Sequence, residues 1–209
     1  MEPPNGETFN IHFLEGDGME EPALHSIGET TEMPEEKLYQ DNPIDYEEFL
    51  LEDGGLDVEA WIIRSTYEIW DLRMPGRIEY YYHDDCVIHA ANGNEVHGTE
   101  EIIEHTLNWQ SAFPGIKIKI LDVLWEGNKE DGYKTSMPSY MTGKNTGHSQ
   151  YGPPTGKELT RENNLAIYNC LIEKVDGRWQ YTEEWSNYDN QAMEWACTSD
   201  EESDDGDDS

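Results

Sequence analysis

An aspartate at the end of an aromatic segment is the first candidate for proton chemistry. Asp189 lies in the stretch EEWSNYDNQAM, shortly after Trp185 and directly after Tyr188. Apolar neighbours disfavour the charged form of a carboxylic acid and raise its pKa, and such a group can act as general acid and base. The same position also suits the N-cap of a helix that starts at Asn190, and the two roles are compatible.

Two histidines are candidates for assisting such a proton transfer. His89 alternates with Ile88 along a β-branched segment, so we expect its side chain to face the helices or a pocket; a satisfied core position is the alternative. His148 lies in the stretch TGHSQYGPPTGKELTRENN. The sequence has no serine in a GxSxG setting, and its histidines are too scattered to predict a metal site.

The stretch that contains His148 also combines three glycines with the rigid pair Pro153 and Pro154. Glycine and proline bend or end strands, so we expect a corner here, followed by a strand. The prolines would hold Tyr151 and His148 in place at low entropic cost. The alternative is that the segment only builds the corner and leaves both side chains in solvent.

The spacing of apolar residues predicts the elements that position these side chains. One helix starts after the cap Asp57 and ends at MPG, residues 74–76; a second starts at the cap Thr99 and ends at FPG, residues 113–115. A short strand lies between them, and four strands follow, the first over residues 116–127. Helices segregated from a consecutive antiparallel sheet predict an α+β fold.

The charge of the chain is strongly acidic and unevenly distributed. There are 46 acidic and 13 basic residues, for a formal net charge of −33, and the acids concentrate at both ends. We therefore predict an acidic, mostly irregular arm over residues 1–56, a domain over 57–198 and an acidic, disordered tail over 199–209. Nucleic acid is not expected as a partner, because binding phosphates needs clustered Lys and Arg.

The sequence gives no sign of a membrane segment or an oxidising compartment. No apolar stretch approaches the ~18 residues of a membrane span, and no signal peptide is visible. The three cysteines, Cys86, Cys170 and Cys197, have no CxxC spacing and are odd in number. We therefore expect a cytoplasmic protein that does not associate with membranes.

Four motifs, taken with the order of the elements, resemble the SnoaL-like polyketide cyclase family of the nuclear transport factor 2-like superfamily. They are HGTEEI before the second helix, AFPG at its end, GPPTGKEL before a long strand and EEWSNYD at the end of the last strand. The resemblance covers residues 57–197. The chain departs from the family pattern at Gly115, where Asp is common, and in its acidic arm and tail.

The resemblance implies a fold and an assembly. The fold is a cone-shaped, curved antiparallel sheet wrapped around helices, with an apolar pocket at its open end. Within the corner at residues 146–156, the stretch GPPTGK (residues 152–157) would then be a hairpin at the pocket rim. The family also implies a homodimer that forms through the convex face of the sheet.

The resemblance further implies a function without a cofactor. Asp189 matches the aspartate that serves as general acid and base, with His89 or His148 assisting. Glu184 is expected on the opposite face of the strand as a structural partner. The predicted activity is of the cyclase, isomerase or hydratase type on a small, apolar, carbonyl-bearing molecule. The alternative is a non-catalytic binding module of the same fold.

A set of aromatic residues is expected to bind the substrate, because the inner core of a cone grades into the wall of its pocket. A purely structural role in the core is the alternative for each member. The set consists of Trp109, Phe113, Tyr140, Tyr151, Tyr168 and Trp185.

Overall fold

The structure is a computed structural model that describes residues 46–199. Its helices are α1 (Val58–Thr66), α2 (Ile78–Tyr81), α3 (Gly98–Ala112) and α4 (Asn190–Cys197). Its strands are β1 (Tyr82–His89), β2 (Glu95–His97), β3 (Lys117–Ile120), β4 (Leu124–Asn128), β5 (Gly132–Lys144), β6 (Glu158–Leu159), β7 (Leu165–Val175) and β8 (Arg178–Tyr188). This order of elements confirms the predicted α+β class.

Local sequence accounts for the bounds of the two longer predicted helices. Asp57 Oδ1 accepts a hydrogen bond from the Ala60 N–H at 3.1 Å and caps α1, as predicted. A π-helical turn, Tyr67–Asp71, continues α1 and ends shortly before MPG. α3 begins at Gly98, so the predicted cap Thr99 is wrong: it lies inside the helix, and His97 holds the N-cap position without a side-chain capping hydrogen bond. The helix ends at Ala112, directly before FPG, where proline cannot extend a helix.

The described strands form one curved, unclosed sheet in the order β2-β1-β8-β7-β5-β3, with β4 and β6 also paired to β5. All pairs are antiparallel except β1 with β8, which is parallel. We call the face that bears Ile88, Met137, Tyr168 and Glu184 the inner face, and the face that bears His89, Tyr140, Ile167 and Trp185 the outer face. The inner face packs against α1 and α3 around the core.

The single strand predicted over residues 116–127 is wrong, because the structure has two strands, β3 and β4, at this place. Both pair with β5, and the break between them lies opposite Pro138. Pro138 has no N–H to donate, while its carbonyl oxygen accepts from the Leu121 N–H at 2.9 Å. A proline in the middle of β5 therefore interrupts the ladder on this side.

The last residues of the predicted acidic arm pack onto the domain. Phe49 lies in a 3₁₀ turn, and its buried ring meets the Trp61 ring edge-on at 5.2 Å between centroids. Leu56 is also buried. Residues 1–45 of the arm and residues 200–209 of the tail lie outside the described residues. The acidic arm and the acidic tail therefore stay predictions.

Over residues 46–199, no helix has both the length and the apolar character that crossing a membrane requires.

Candidate active site

A cavity of about 70 Å³ lies between the inner face of the sheet and the helices α1 and α3. Its wall is mostly apolar, with Ile62 from α1, Trp109 from α3 and Met137 from β5. Polar side chains reach it from α3 and from two further strands: His105 from α3, Tyr168 from β7 and Glu184 from β8. The cavity therefore has a mostly apolar wall that carries a few side chains able to donate or accept a proton.

Glu184 supplies the carboxyl group of this wall, and its side chain is almost completely buried, at 6% exposure. Its Oε2 accepts hydrogen bonds from Tyr82 Oη at 2.9 Å and from Cys170 Sγ at 3.7 Å, and its Oε1 accepts from Ser186 Oγ at 2.5 Å. Burial raises the pKa of Glu184, and the three hydrogen bonds oppose this rise. The result is an oriented carboxyl group that holds its proton more tightly than an exposed one.

Tyr168 brings a phenol hydroxyl to the same cavity. Its side chain is buried, and its Oη has no hydrogen-bond partner within residues 46–199. Burial, and next the negative charge of Glu184, raise the pKa of Tyr168 well above its usual range. Tyr168 therefore keeps its proton and is a hydrogen-bond donor.

His105 is a second group in the wall that could carry a proton. Its ring lies edge-on to Trp109, with 6.3 Å between ring centroids. Burial lowers the pKa of His105, so the imidazole is neutral at neutral pH. A neutral imidazole has one nitrogen that donates and one that accepts, and so can move a proton in either direction.

Asp189, the acid predicted from the sequence, lies outside the cavity wall. It is exposed at the end of β8, and its Oδ1 accepts a hydrogen bond from the Ala192 N–H at 3.0 Å. Asp189 is thus the N-cap of α4, the capping role that its sequence position also suited.

His89 and Trp185 both lie on the outer face, away from the cavity. Their rings stack, with centroids 5.3 Å apart and planes 17° apart. His89 Nε2 lies 2.8 Å from Glu183 Oε1, and His89 Nδ1 lies 3.2 Å from Glu95 Oε1. The ring of His89 is therefore held between two carboxylates on the surface.

The corner at residues 146–156 is organised by a buried asparagine that precedes it. Asn145 Nδ2 donates to the Ala112 carbonyl oxygen at 2.8 Å, and Asn145 Oδ1 accepts from the Thr155 N–H at 2.7 Å. His148 is exposed and Tyr151 is half-buried, and neither contributes to the cavity wall. The segment ties the end of α3 to the sheet.

The predicted aromatic set divides between cavity, core and surface. Trp109 and Tyr168 line the cavity. Phe113 is fully buried in the core without reaching the cavity. Tyr140 lies on the outer face, where the guanidinium carbon of Arg161 is 5.7 Å from its ring centroid.

The polar groups that the structure places in the cavity include two that the sequence did not suggest for the site, Glu184 and His105. Glu184 was expected on the opposite face, and His105 lay in a helix with no motif around it. Within the described part of the chain, no three His, Cys, Asp or Glu side chains come together as a metal site would require. Cys86, Cys170 and Cys197 are buried and free.

A family model described as SnoaL-like polyketide cyclase matches residues 60–196. No match was found among the curated proteins. Among solved structures, a protein from Jannaschia sp. CCS1 described as a SnoaL-like polyketide cyclase is 18% identical, with a TM-score of 0.53. The alignment covers 76% of this chain and 98% of that one.

Two further solved structures share the fold. A protein from Novosphingobium aromaticivorans DSM 12444 described as a scytalone dehydratase is 13% identical, with a TM-score of 0.50 over 63% of this chain and 81% of that one. A protein with a cystatin-like fold from Caulobacter vibrioides is 11% identical, with a TM-score of 0.50 over 64% of this chain and 87% of that one. At such identities the likeness is one of fold.

Proposed function

The chain belongs to the SnoaL-like polyketide cyclase family, and we propose that it is a cofactor-independent acid/base enzyme acting on a small, apolar, carbonyl-bearing molecule. The reaction is of the cyclase, isomerase or hydratase type. The observation that supports this proposal is the Glu184 carboxyl group, buried in the wall of an otherwise mostly apolar cavity and oriented by three hydrogen bonds.

The chemistry begins with removal of a proton from the carbon next to the carbonyl group. Ionised Glu184 takes this proton, the electron pair of the C–H bond forms a carbon–carbon double bond, and the carbonyl oxygen becomes an enolate oxygen. The protonated carboxyl group then returns the proton to the product. A raised pKa strengthens the carboxylate as a base and keeps the acid form available towards neutral pH.

We place the acid/base role at Glu184 rather than at Asp189, because the acting group must reach the substrate. Asp189 is exposed and is engaged in capping α4. For the same reason, His105 takes the assisting role that the sequence suggested for His89 or His148. Trp109 and Tyr168 line the cavity, and we assign them the substrate contacts expected from the sequence.

Proton exchange at a simple ketone tests this proposal without knowledge of the natural substrate. The full chain is incubated with 1-indanone in D₂O, and loss of the proton signal next to the carbonyl group is followed by NMR. We expect the native protein to accelerate exchange and Glu184→Gln to lower the rate ~10²–10⁴-fold, the usual effect of a positioned acid/base group.

Asp189→Asn is the matched control, because it removes the other candidate carboxylate while preserving most of its capping ability. It should exchange the ketone protons at the native rate. The opposite pattern, with Asp189→Asn inactive and Glu184→Gln active, would return the catalytic role to Asp189.

A non-catalytic binding module is the second candidate, and the solvent-exposed, capping position of Asp189 is the observation that favours it. A binder needs the apolar wall of the cavity without proton transfer. If 1-indanone perturbs the NMR signals of cavity residues while its protons exchange no faster than in buffer, the binding module takes the place of the enzyme.

A further inference from the structure

Four tyrosines line the cavity, and they differ in whether the hydroxyl group has a hydrogen-bond partner. Three have partners in the fold: Tyr82 with Glu184, Tyr181 with Ser65 and Tyr188 with Trp109. The hydroxyl of Tyr168 is buried and has none among the residues that the structure describes. The Tyr168 hydroxyl is therefore a hydrogen-bond donor in the cavity wall that remains available to a ligand.

A buried hydroxyl without a partner is unfavourable, and native proteins rarely retain one that does nothing. Tyr168 lies on β7, directly across from Met137 on β5 and from Ser186 on β8, and all three line the cavity. The residue is 8% exposed, so bulk solvent has little access to it. Because Tyr168 lines the cavity, a molecule that enters it can supply the missing partner.

The electrostatics of the wall restrict the charge of that partner. No Lys or Arg is among the cavity-lining residues in the described part of the chain, so nothing there would pair with an anion. Burial raises the pKa of Glu184 and lowers the pKa of His105, which shows that the cavity disfavours negative and positive charge alike. A ligand that carries a full charge would meet the same penalty.

We propose that the Tyr168 hydroxyl binds the carbonyl oxygen of an uncharged ligand and so fixes which carbon faces Glu184. This inference rests on the proposed ligand class and adds the group that recognises it. When an enolate forms, the same hydrogen bond strengthens, because the oxygen becomes negatively charged while the donor remains in place.

The hydrogen bond from Tyr168 can be tested with two ligands, one that has the carbonyl oxygen and one that lacks it. The dissociation constants of 1-indanone and indane are measured by NMR titration with the native chain, Tyr168→Phe and Tyr181→Phe. The preference for 1-indanone over indane should fall about fivefold to tenfold in Tyr168→Phe, the range of one net hydrogen bond. It should keep its native value in Tyr181→Phe, because Ser65 already engages that hydroxyl 2.8 Å away.

Thermal unfolding of the same variants gives a readout that needs no ligand. Tyr168→Phe should leave Tm unchanged or raise it, because removing the hydroxyl breaks no hydrogen bond within the fold. Tyr181→Phe should lower Tm. A fall in Tm for Tyr168→Phe, with an unaltered preference for 1-indanone, would mean that the hydroxyl has an internal role, and would overturn the inference.

The remaining outcomes separate this inference from the proposed enzyme. If Tyr168→Phe has a lower preference for 1-indanone but the native chain does not accelerate proton exchange, the result supports the Tyr168 hydrogen bond and overturns the proposed enzyme activity. If the native chain accelerates proton exchange but Tyr168→Phe keeps the native preference for 1-indanone, the result supports the enzyme activity and overturns the Tyr168 hydrogen bond. Failure of both ligands to bind the native chain also overturns the contact.

Discussion

Tyr82 Oη and Glu184 Oε2 lie 2.9 Å apart, although 102 positions separate the two residues in the sequence. The parallel pairing of β1 with β8 brings them together, with Ile88 and Glu184 directly across from each other. Burial raises the pKa of Tyr82 well above its usual range, so its hydroxyl donates and the carboxylate accepts. This hydrogen bond favours the charged form of Glu184 and opposes part of the effect of burial.

Tyr82→Phe should therefore raise the pKa of Glu184 further. The ionised, basic form of the carboxyl group would then appear at higher pH, and the pH profile of ketone proton exchange should shift in that direction. Tyr181→Phe is the control, since its hydroxyl bonds to Ser65 rather than to Glu184. A profile with the native midpoint in Tyr82→Phe would show that this hydrogen bond does not tune the carboxyl group.

The buried carboxyl group also makes the stability of the fold depend on pH. An exposed Glu has a pKa of about 4.3, and burial raises the pKa of Glu184 above this value in the folded chain. Between the two pKa values, the folded chain retains a proton that the unfolded chain has released. The contribution of Glu184 to the free energy of unfolding therefore falls as pH rises through this window.

Glu184→Gln should remove this contribution to the pH dependence. Relative to the native chain, the variant should gain stability as pH rises from about 4 towards the folded pKa of Glu184. Urea unfolding at a series of pH values measures the difference. If the gap between the two proteins is the same at every pH, Glu184 has the same pKa in both states and the prediction is wrong.

The position of Glu184 shows why the site was harder to predict than the fold. Up to Tyr181, the odd-numbered residues of β8 face inward, and continued alternation would bring Trp185 into the cavity. The pairing with β7 shifts between Leu171 and Ile172, and β8 gains one residue there. This bulge reverses the alternation, so Glu184 replaces Trp185 on the inner face. Neither Gly nor Pro marks the bulge in the sequence.

The elements that were predicted correctly depend on local signals. A cap at Asp57 and a proline after Phe113 act within one turn of a helix, so their effect is visible in the sequence. The parallel pairing of β1 with β8 and the break opposite Pro138 depend on which strands become neighbours. That information is non-local, and the family resemblance supplied only its general form.

The capping role of Asp189 has a measurable consequence for stability. Asp189→Ala should lower the free energy of unfolding by about 1 kcal/mol, because the N–H of Ala192 loses its acceptor. Asp189→Asn should change it much less, since Asn is an equally good cap. Denaturant unfolding of both variants distinguishes them. Equal losses would indicate that the negative charge, rather than the cap geometry, stabilises α4.

Phe49 tests where the folded unit begins. Phe49→Ala should lower the free energy of unfolding by about 3 kcal/mol, the lower end of the usual effect for a buried aromatic ring. Leu51→Ala, two residues away and exposed, is the control and should change it by less than about 0.5 kcal/mol. A small effect at Phe49 would support a domain that starts at residue 57, as the sequence suggested.

The outer face of the sheet carries an exposed apolar surface at its centre. Leu165 and Ile167 on β7 are 60% and 45% exposed, and Trp185 on β8 is 36% exposed. Tyr140 on β5 lies directly across from Leu165. Contiguous apolar surface of this kind marks interfaces, which agrees with the homodimer expected from the family resemblance.

If the chain forms the expected homodimer through this surface, Ile167→Asp should make it a monomer, because pairing would bury an unpaired carboxylate from each subunit. Leu107→Asp places the same charge at a similarly exposed leucine on α3, away from the sheet, and should leave the assembly intact. Light scattering at micromolar concentration measures the mass of each protein, and circular dichroism checks that each variant is folded. A monomeric native chain under these conditions would contradict the prediction, as would a dimer that persists in folded Ile167→Asp.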